Sequence, residues 1–351
     1  MIINLFKVFA PLAISFFIGI AFAPLLTHYL YKHKMWKKRS GKVDPSGNGT
    51  PIFNQLHKDK EVGTPRMGGV IIWVSAFVTI FLFWLLSKVF PGDITEKLSF
   101  LSRNQTWLPL FTLIAASLIG LVDDWLEVNG NGHYIAGGLP FVQRLLLVII
   151  LGLIGAWWFY FKLDVFEITT PFWGLFNIGL WFIPLFVIAM VGLFTSGVID
   201  GLDGLAGGVM TIIFTSYAVI AFAQNQVDLA AFCAVIAGGT LAFLWFNIPP
   251  ARFYMSETGI LGLTTTLTVV AFLTDTIIVL PLIALPLTAT ILGNIIQMSS
   301  KKFFGRKVFR VAPIHHHFEA IGWPAYKVVM RYWVISIIAA IIGIIIVLIS
   351  R

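Results

Sequence analysis

Ten times between residues 8 and 350 the sequence passes through an apolar stretch near the ~20 residues that a helix needs to cross a bilayer. The stretches are 8–30, 67–87, 105–122, 145–161, 178–199, 205–223, 229–247, 258–274, 277–298 and 332–350. The third, fourth and eighth are short, so their ends are soft. No other feature constrains the chain as tightly, because lipid-exposed backbone must be helical to satisfy its own polar groups. Pro184, Pro281 and Pro286 predict bends or local breaks in the fifth and ninth stretches. Composition agrees: 11% of residues are charged, against roughly 25% in a soluble domain. The expectation is an all-α integral membrane protein, one polytopic domain over 1–351 with about ten transmembrane helices. Nucleic-acid binding, secreted disulfide scaffolds and disorder fit poorly, and the single cysteine, Cys233, lies inside an apolar run. Ala21-Phe22-Ala23 has the form of a signal-peptidase site. The segment before it holds only Lys7, however, and the run continues to Leu30, so it reads as a retained span.

Orientation follows from the basic residues. With ten spans, loops 31–66, 123–144, 200–204, 248–257 and 299–331 share one side. They carry 18 of the 24 Lys and Arg residues. The positive-inside rule puts that side in the cytoplasm and both termini outside. The segment 162–173 alternates polar and apolar residues and reads as a short extended or hairpin piece on the outer face.

The residues with chemistry all fall on the inner side. Asp123-Asp124 end the third stretch, Asp200 and Asp203 follow the fifth in VIDGLDGLAGG, and Asn247 closes the seventh. Glu257 opens the eighth, and His315, His316 and His317 precede the tenth. So many carboxylates at one membrane surface raise one another's energy unless a cation intervenes. Oxygen ligands suit Mg²⁺, which takes one or two carboxylates together with substrate phosphates and water. The glycines of DGLDGLAGG let backbone approach a ligand, and the helix start that follows favours phosphate oxygens. Lys58, Lys60, Arg66, Arg306, Lys307 and Arg310 complement an anionic substrate. The pattern is that of Mg²⁺-assisted phosphoryl transfer at the inner membrane surface. Plainer readings stand beside it: an Asp pair is commonly a solvated cap, Asp-Gly is common turn punctuation, and the basic loop 31–66 is first a topology anchor. Zinc is the weaker metal, because adjacent histidines lack the usual ligand spacing and no cysteine joins them.

These motifs resemble a known family. GTPRMGG (63–69), the Asp pair (123–124), DGLDGLA (200–206), WFN (245–247) and APIHHHFE (312–319) look like the hallmarks of phospho-N-acetylmuramoyl-pentapeptide transferases, collinear over nearly the whole chain. The resemblance implies Mg²⁺-dependent transfer of phospho-N-acetylmuramoyl-pentapeptide from UDP to undecaprenyl phosphate, giving lipid I and UMP in the bacterial cytoplasmic membrane. A homodimer is implied by the resemblance alone. It assigns Asp123, Asp124 and Asp200 to catalysis, with Asp200 and Glu257 at the metal. Lys60, Thr64, Asn247, Asp203, His315, His316 and His317 go to substrate binding, with Lys58 an alternative to Lys60.

Four positions depart from the family pattern. Glu257 stands for an Asp, which moves the carboxylate by about 1.5 Å. Glu127 stands for a Lys, Gly197 for an Asn and Arg66 for a Thr. A divergent active enzyme, with Arg66 restoring some of the missing positive charge, is the favoured explanation; altered substrate choice, or binding without activity, is the other. Two rival functions remain open at this point. One is a related transferase of UDP-N-acetylhexosamine; the weaker one is a non-catalytic lipid-binding or transport protein, disfavoured because no internal repeat is visible.

Overall fold

The computed structural model describes residues 2–38, 62–130 and 138–350. The chain is helical almost throughout. The long helices are α1 (Ile2–Lys32), α2 (Val70–Val89), α4 (Trp107–Asn129), α5 (Phe141–Lys162), α6 (Phe182–Thr195), α7 (Leu205–Ala223), α8 (Val227–Asn247), α9 (Ser256–Leu273), α11 (Leu285–Phe304) and α13 (Ala325–Ile349). Short pieces are α3 (Asp93–Leu98), α10 (Leu280–Ile283) and α12 (Ile314–Ala320). Among the described residues, nine helical segments are long and apolar enough to cross a membrane. The protein is a multi-pass, all-α membrane protein.

The ninth expected stretch does not form one uniform span. It breaks at Ala284 (φ −103°, ψ 40°) between α10 and α11, and each piece carries a proline at its start. A proline at the first helical positions forfeits no needed N–H, which is why these prolines open helices rather than interrupt them. The two pieces still connect opposite ends of the bundle. Asp275 before α10 meets the hairpin over 167–177, and α12 after α11 packs against the DGLDGL loop at the other end. Several boundaries also move. The loop expected over 123–144 begins later, because α4 continues to Asn129 and carries Asp123 and Asp124 inside its last turns. The extended piece expected over 162–173 is a hairpin of β1 (Glu167–Thr170) and β2 (Gly174–Asn177).

Helices α8 and α9 form the centre, each with 89% of its apolar window buried, whereas α1, α5 and α13 bury about a third and present the rest to lipid. Close crossing is what small residues permit. A Cβ on Gly69 would lie 2.3 Å from the Gly259 Cα, and one on Gly120 would lie 2.2 Å from the Glu257 carbonyl oxygen. Glycines at these crossings therefore bring α2 and α4 against the first turn of α9, which is where the carboxylates gather. Lys7 pairs with Asp228 at 2.5 Å, so the start of α1 lies at the end of α8 remote from Asn247. The last turn of α13 is remote from α12 in the same way, so residues 2 and 349 share the end opposite the carboxylates.

Candidate active site

The site is built on the N-terminus of α9. A helix leaves its first N–H groups without intrahelical partners and concentrates positive potential there. Here carboxylates from distant segments take them. Asp124 of α4 accepts from the N–H of Glu257 at 3.3 Å and of Thr258 at 3.0 Å. Asp200, from the DGLDGL loop, accepts from the N–H of Ser256 at 2.8 Å. Ser256 itself holds a left-handed φ of 58°, a conformation uncommon for a side-chain-bearing residue and sustained here by its surroundings.

Asp123, the neighbour of Asp124, faces the other way round the helix. It accepts from the Leu139 N–H at 2.5 Å and lies 3.4 Å from an Arg144 Nη1 that reaches Glu257 at 2.5 Å. Four carboxylates from three segments thus act on one another: Asp123 and Glu257 on Asp124, and Asp123 and Asp200 on Glu257. Asp124 is fully buried, Asp123 nearly so, and Glu257 keeps 28% of its side chain exposed. Asp200 and Glu257 are the partly exposed carboxylates of this set.

The charge departures find one another in space. Glu127, one turn beyond the Asp pair on α4, is ion-paired with Arg66 and with Lys37 at 3.1 Å. Arg66 also acts through space on Asp123, Asp124 and Glu257. The backbone around it is knitted to two neighbours: the Arg66 N–H donates to Met35, and Tyr254 donates to Pro65. The expectation that Arg66 brings positive charge to this face is matched by its position. Gly197 faces Ile260 of α9 at ordinary contact distance, with room for a Cβ.

The remaining expected residues divide into those gathered here and those used elsewhere. Asn247 is buried and spends both ends inside the protein, accepting from the Gly204 N–H at 2.8 Å and donating to the Phe253 carbonyl at 2.9 Å. It holds loops 200–204 and 248–255 together. Gly204 needs its φ of 80° to start α7, and Asp203 beside it accepts from the Ala251 N–H. His315 and His316 are buried against Gly201, where a Cβ would come within 2.6 Å and 2.8 Å of their Nε2 atoms. Glu319 orients His316 through a 2.7 Å contact to Nδ1. His317 is turned to another task, accepting from the Arg310 N–H. Thr64 is half-buried just before Pro65. Lys60 and Lys58 lie outside the described residues.

Sequence reasoning did not single out Arg144. A lone arginine beside an apolar stretch reads as a topology anchor, and no motif surrounds it. Its one signal is that it is the sole Lys or Arg in 123–144.

Asp200 and Glu257 offer the oxygen donors that a hard divalent cation takes, Asp200 accepting from the Ser256 N–H beside Glu257. Among the described residues no group of three or more His, Cys, Asp or Glu is placed to hold a metal ion.

A bundle of membrane-spanning helices with carboxylates collected at one end defines a polytopic membrane protein, and the profile of glycosyl transferase family 4 matches residues 106–275. That region spans the Asp pair, the DGLDGL loop and α9. Over nearly its full length the chain is 32% identical to the phospho-N-acetylmuramoyl-pentapeptide-transferase of Geobacillus sp. (strain WCH70), covering 94% of this chain and 95% of the relative. It is 33% identical to that of Chloroflexus aggregans, covering 95% and 87%. It is 32% identical to that of Clostridium novyi (strain NT), covering 94% of each. The chain belongs to the phospho-N-acetylmuramoyl-pentapeptide-transferase family.

Proposed function

We propose that the protein transfers phospho-N-acetylmuramoyl-pentapeptide from UDP to undecaprenyl phosphate, releasing UMP, at the cytoplasmic face of the bacterial inner membrane. The observation that carries this reading is the convergence of Asp123, Asp124, Asp200 and Glu257 on the first turn of α9. Two anionic substrates, one soluble and one lipid-bound, must meet where the bundle meets water, and this is where the charged side chains concentrate.

In the reaction a phosphate oxygen of the lipid attacks the β-phosphorus of the UDP-sugar. The bond from that phosphorus to the bridging oxygen breaks, and its electron pair leaves with UMP. Asp123 or Asp124 keeps the attacking phosphate free of its proton. Asp124 is held by two backbone amides and Asp200 by one, so both keep their places through turnover. Asp200 and Glu257 would hold Mg²⁺, whose charge would offset that of the pyrophosphate. Arg66 supplies fixed positive charge nearby, and His315 and His316 line the DGLDGL loop for substrate contact. A homodimer is compatible with this scheme and does not enter it.

The test is acceptor-dependent UMP release by purified protein in detergent, with undecaprenyl phosphate, UDP-N-acetylmuramoyl-pentapeptide, and either Mg²⁺ or EDTA. Release abolished by EDTA supports the reading. Release with UDP-N-acetylglucosamine but not with the muramoyl substrate would transfer the site to the related reaction.

A further inference from the structure

Lys327 and Arg331 stand one turn apart on α13, and both are exposed. Their charges rest on one indole: the Arg331 Cζ lies 4.1 Å from the centre of the Trp323 ring, and the Lys327 Nζ lies 5.3 Å from it. Trp323 is itself fixed by stacking on Phe318 of α12, with ring centres 4.9 Å apart. A ring face attracts a cation but carries no net charge, so two like charges gathered there still repel. Among the described residues no ion pair joins either one to a carboxylate, unlike Lys7, Arg66 and Arg144. Residues 320–351 contain no Asp or Glu, and Glu319 just before them meets His316. The positive charge is therefore unmatched within the chain.

The surroundings point to the kind of anion that matches it. Along the same face of α13, at helical spacings of three and four, come Val334, Ile338, Ile341 and Ile345, all about half exposed. Two positions beyond Arg331, Trp333 donates to the Gly204 carbonyl at 3.2 Å, which puts the cations at the bundle end that carries the carboxylates. A cationic pair above an apolar stripe complements an amphiphile with an anionic head and a long apolar chain; a water-soluble phosphate would leave the stripe bare. The bilayer around α13 supplies such amphiphiles continuously, and basic residues at the end of a span attract them. We propose that Lys327, Arg331 and Trp323 form a binding site for the phosphodiester head of an anionic phospholipid, its chain lying along α13. The bound head anchors the start of α13, which the Trp333 hydrogen bond ties to the loop of Asp200 and Asp203. The site is separate from the carboxylate cluster and does not depend on the reaction assigned to it.

The test uses the full-length protein in neutral detergent, with phosphatidylglycerol and phosphatidylcholine as probes and native mass spectrometry counting the lipids that stay bound. The wild type should hold a first phosphatidylglycerol about tenfold more tightly than a phosphatidylcholine, because two cations face its phosphate. Lys327→Gln combined with Arg331→Gln should lose most of that preference, with circular dichroism showing an intact helical protein. Arg331→Lys keeps the charge and should keep the preference. Lys162→Gln removes a cation from Trp157 at the other end of the bundle and should leave the preference unchanged. A wild type without preference overturns the proposal, as does an undiminished preference in the double variant or an equal loss in Lys162→Gln. A loss in Arg331→Lys as large as in the double variant also overturns it, since charge would then not explain the binding. Two further outcomes replace the occupant and so overturn the phospholipid assignment. Undecaprenyl phosphate that displaces phosphatidylglycerol at equal concentration would give the site to that lipid, and a double variant that loses a dimer rather than a lipid would give it to a second copy of the chain.

Discussion

Two helix starts in this protein pose the same physical problem and receive different answers. At the end remote from the Asp pair, α8 begins with unpaired N–H groups, and the neutral Gln105 Oε1 accepts from Leu229 at 3.2 Å. At the opposite end α9 begins, and its N–H groups go to the carboxylates of Asp124 and Asp200. The far end of α9 is closed by amides again, with Gln224 and Gln226 donating to the carbonyls of Thr274 and Leu273. Neutral side chains satisfy a helix end as a matter of stability. Carboxylates do so too, but they also leave negative charge buried at a fixed place, which costs free energy that nothing in packing returns. The site end accepts that cost, and the difference marks where charge has work other than holding the fold.

That contrast is sharpest if function and stability separate at α9. Asp124→Asn keeps one of the two oxygens that the Glu257 and Thr258 amides use but loses the charge. Transferase activity should fall by roughly a hundredfold or more, with the melting temperature close to that of the wild type. Asp124→Ala should lose the same activity and in addition about 1–2 kcal/mol of stability, as when a helix cap is removed. If Asp124→Asn retained near-normal turnover in the UMP assay, the site end would be no more than another cap.

Gly201→Ala comes next in expected size. Its Cβ would press on His315 and His316. UMP release should drop by an order of magnitude or so, and circular dichroism should show an intact helical protein. Normal activity would mean that the packing of the two imidazoles on the DGLDGL loop is unimportant.

The ion pair of Arg66 and Glu127 tests position against charge. Arg66→Ala should cost about 1–2 kcal/mol, a figure reduced because both side chains keep some solvent contact. The exchange Arg66→Glu with Glu127→Arg restores that pair but sets a cation against Lys37, so it should recover only part of that stability in a denaturation measurement. It should not recover activity, because the positive charge no longer sits where it acts on Asp123, Asp124 and Glu257. Full recovery of both would make the pair a staple only.

The smallest effect belongs to the amide-closed end. Gln226→Ala should cost about 1 kcal/mol, the typical worth of one hydrogen bond, and leave UMP release unchanged. Loss of activity there without loss of stability would erase the contrast between the two ends.

Much of the architecture was legible in the residues. Apolar runs of bilayer length mark the spans because lipid imposes one length scale and one secondary structure on whatever crosses it. The stretch 205–223 coincides with α7, and the prolines at 281 and 286 announced the break between α10 and α11. Counting spans also put Asp123, Asp124, Asp200, Asp203, Asn247, Glu257 and the histidines at one end of the bundle, where the structure has them. Other features were out of reach. A run of apolar residues does not show that α4 carries its Asp pair within the helix, since Trp125 to Asn129 are too polar to extend an apolar window yet remain helical. It equally gave no reason to separate His317 from its two neighbours, because the difference lies in which face of one turn meets Gly201.

What the sequence determined by itself is therefore what local rules govern: the approximate limits of the apolar crossings, nine of the ten expected being long, apolar helical segments among the described residues, the family, and the end of the bundle to which each charged motif belongs. What the tertiary structure decided is which charge meets which. Arg144 and Glu257 are 113 positions apart, and Asp124 and Thr258 are 134 apart. No periodicity connects such residues. They meet because glycines on α2 and α4 let those helices cross the first turn of α9 at backbone contact, and the unpaired N–H groups exposed there draw in the nearest carboxylates.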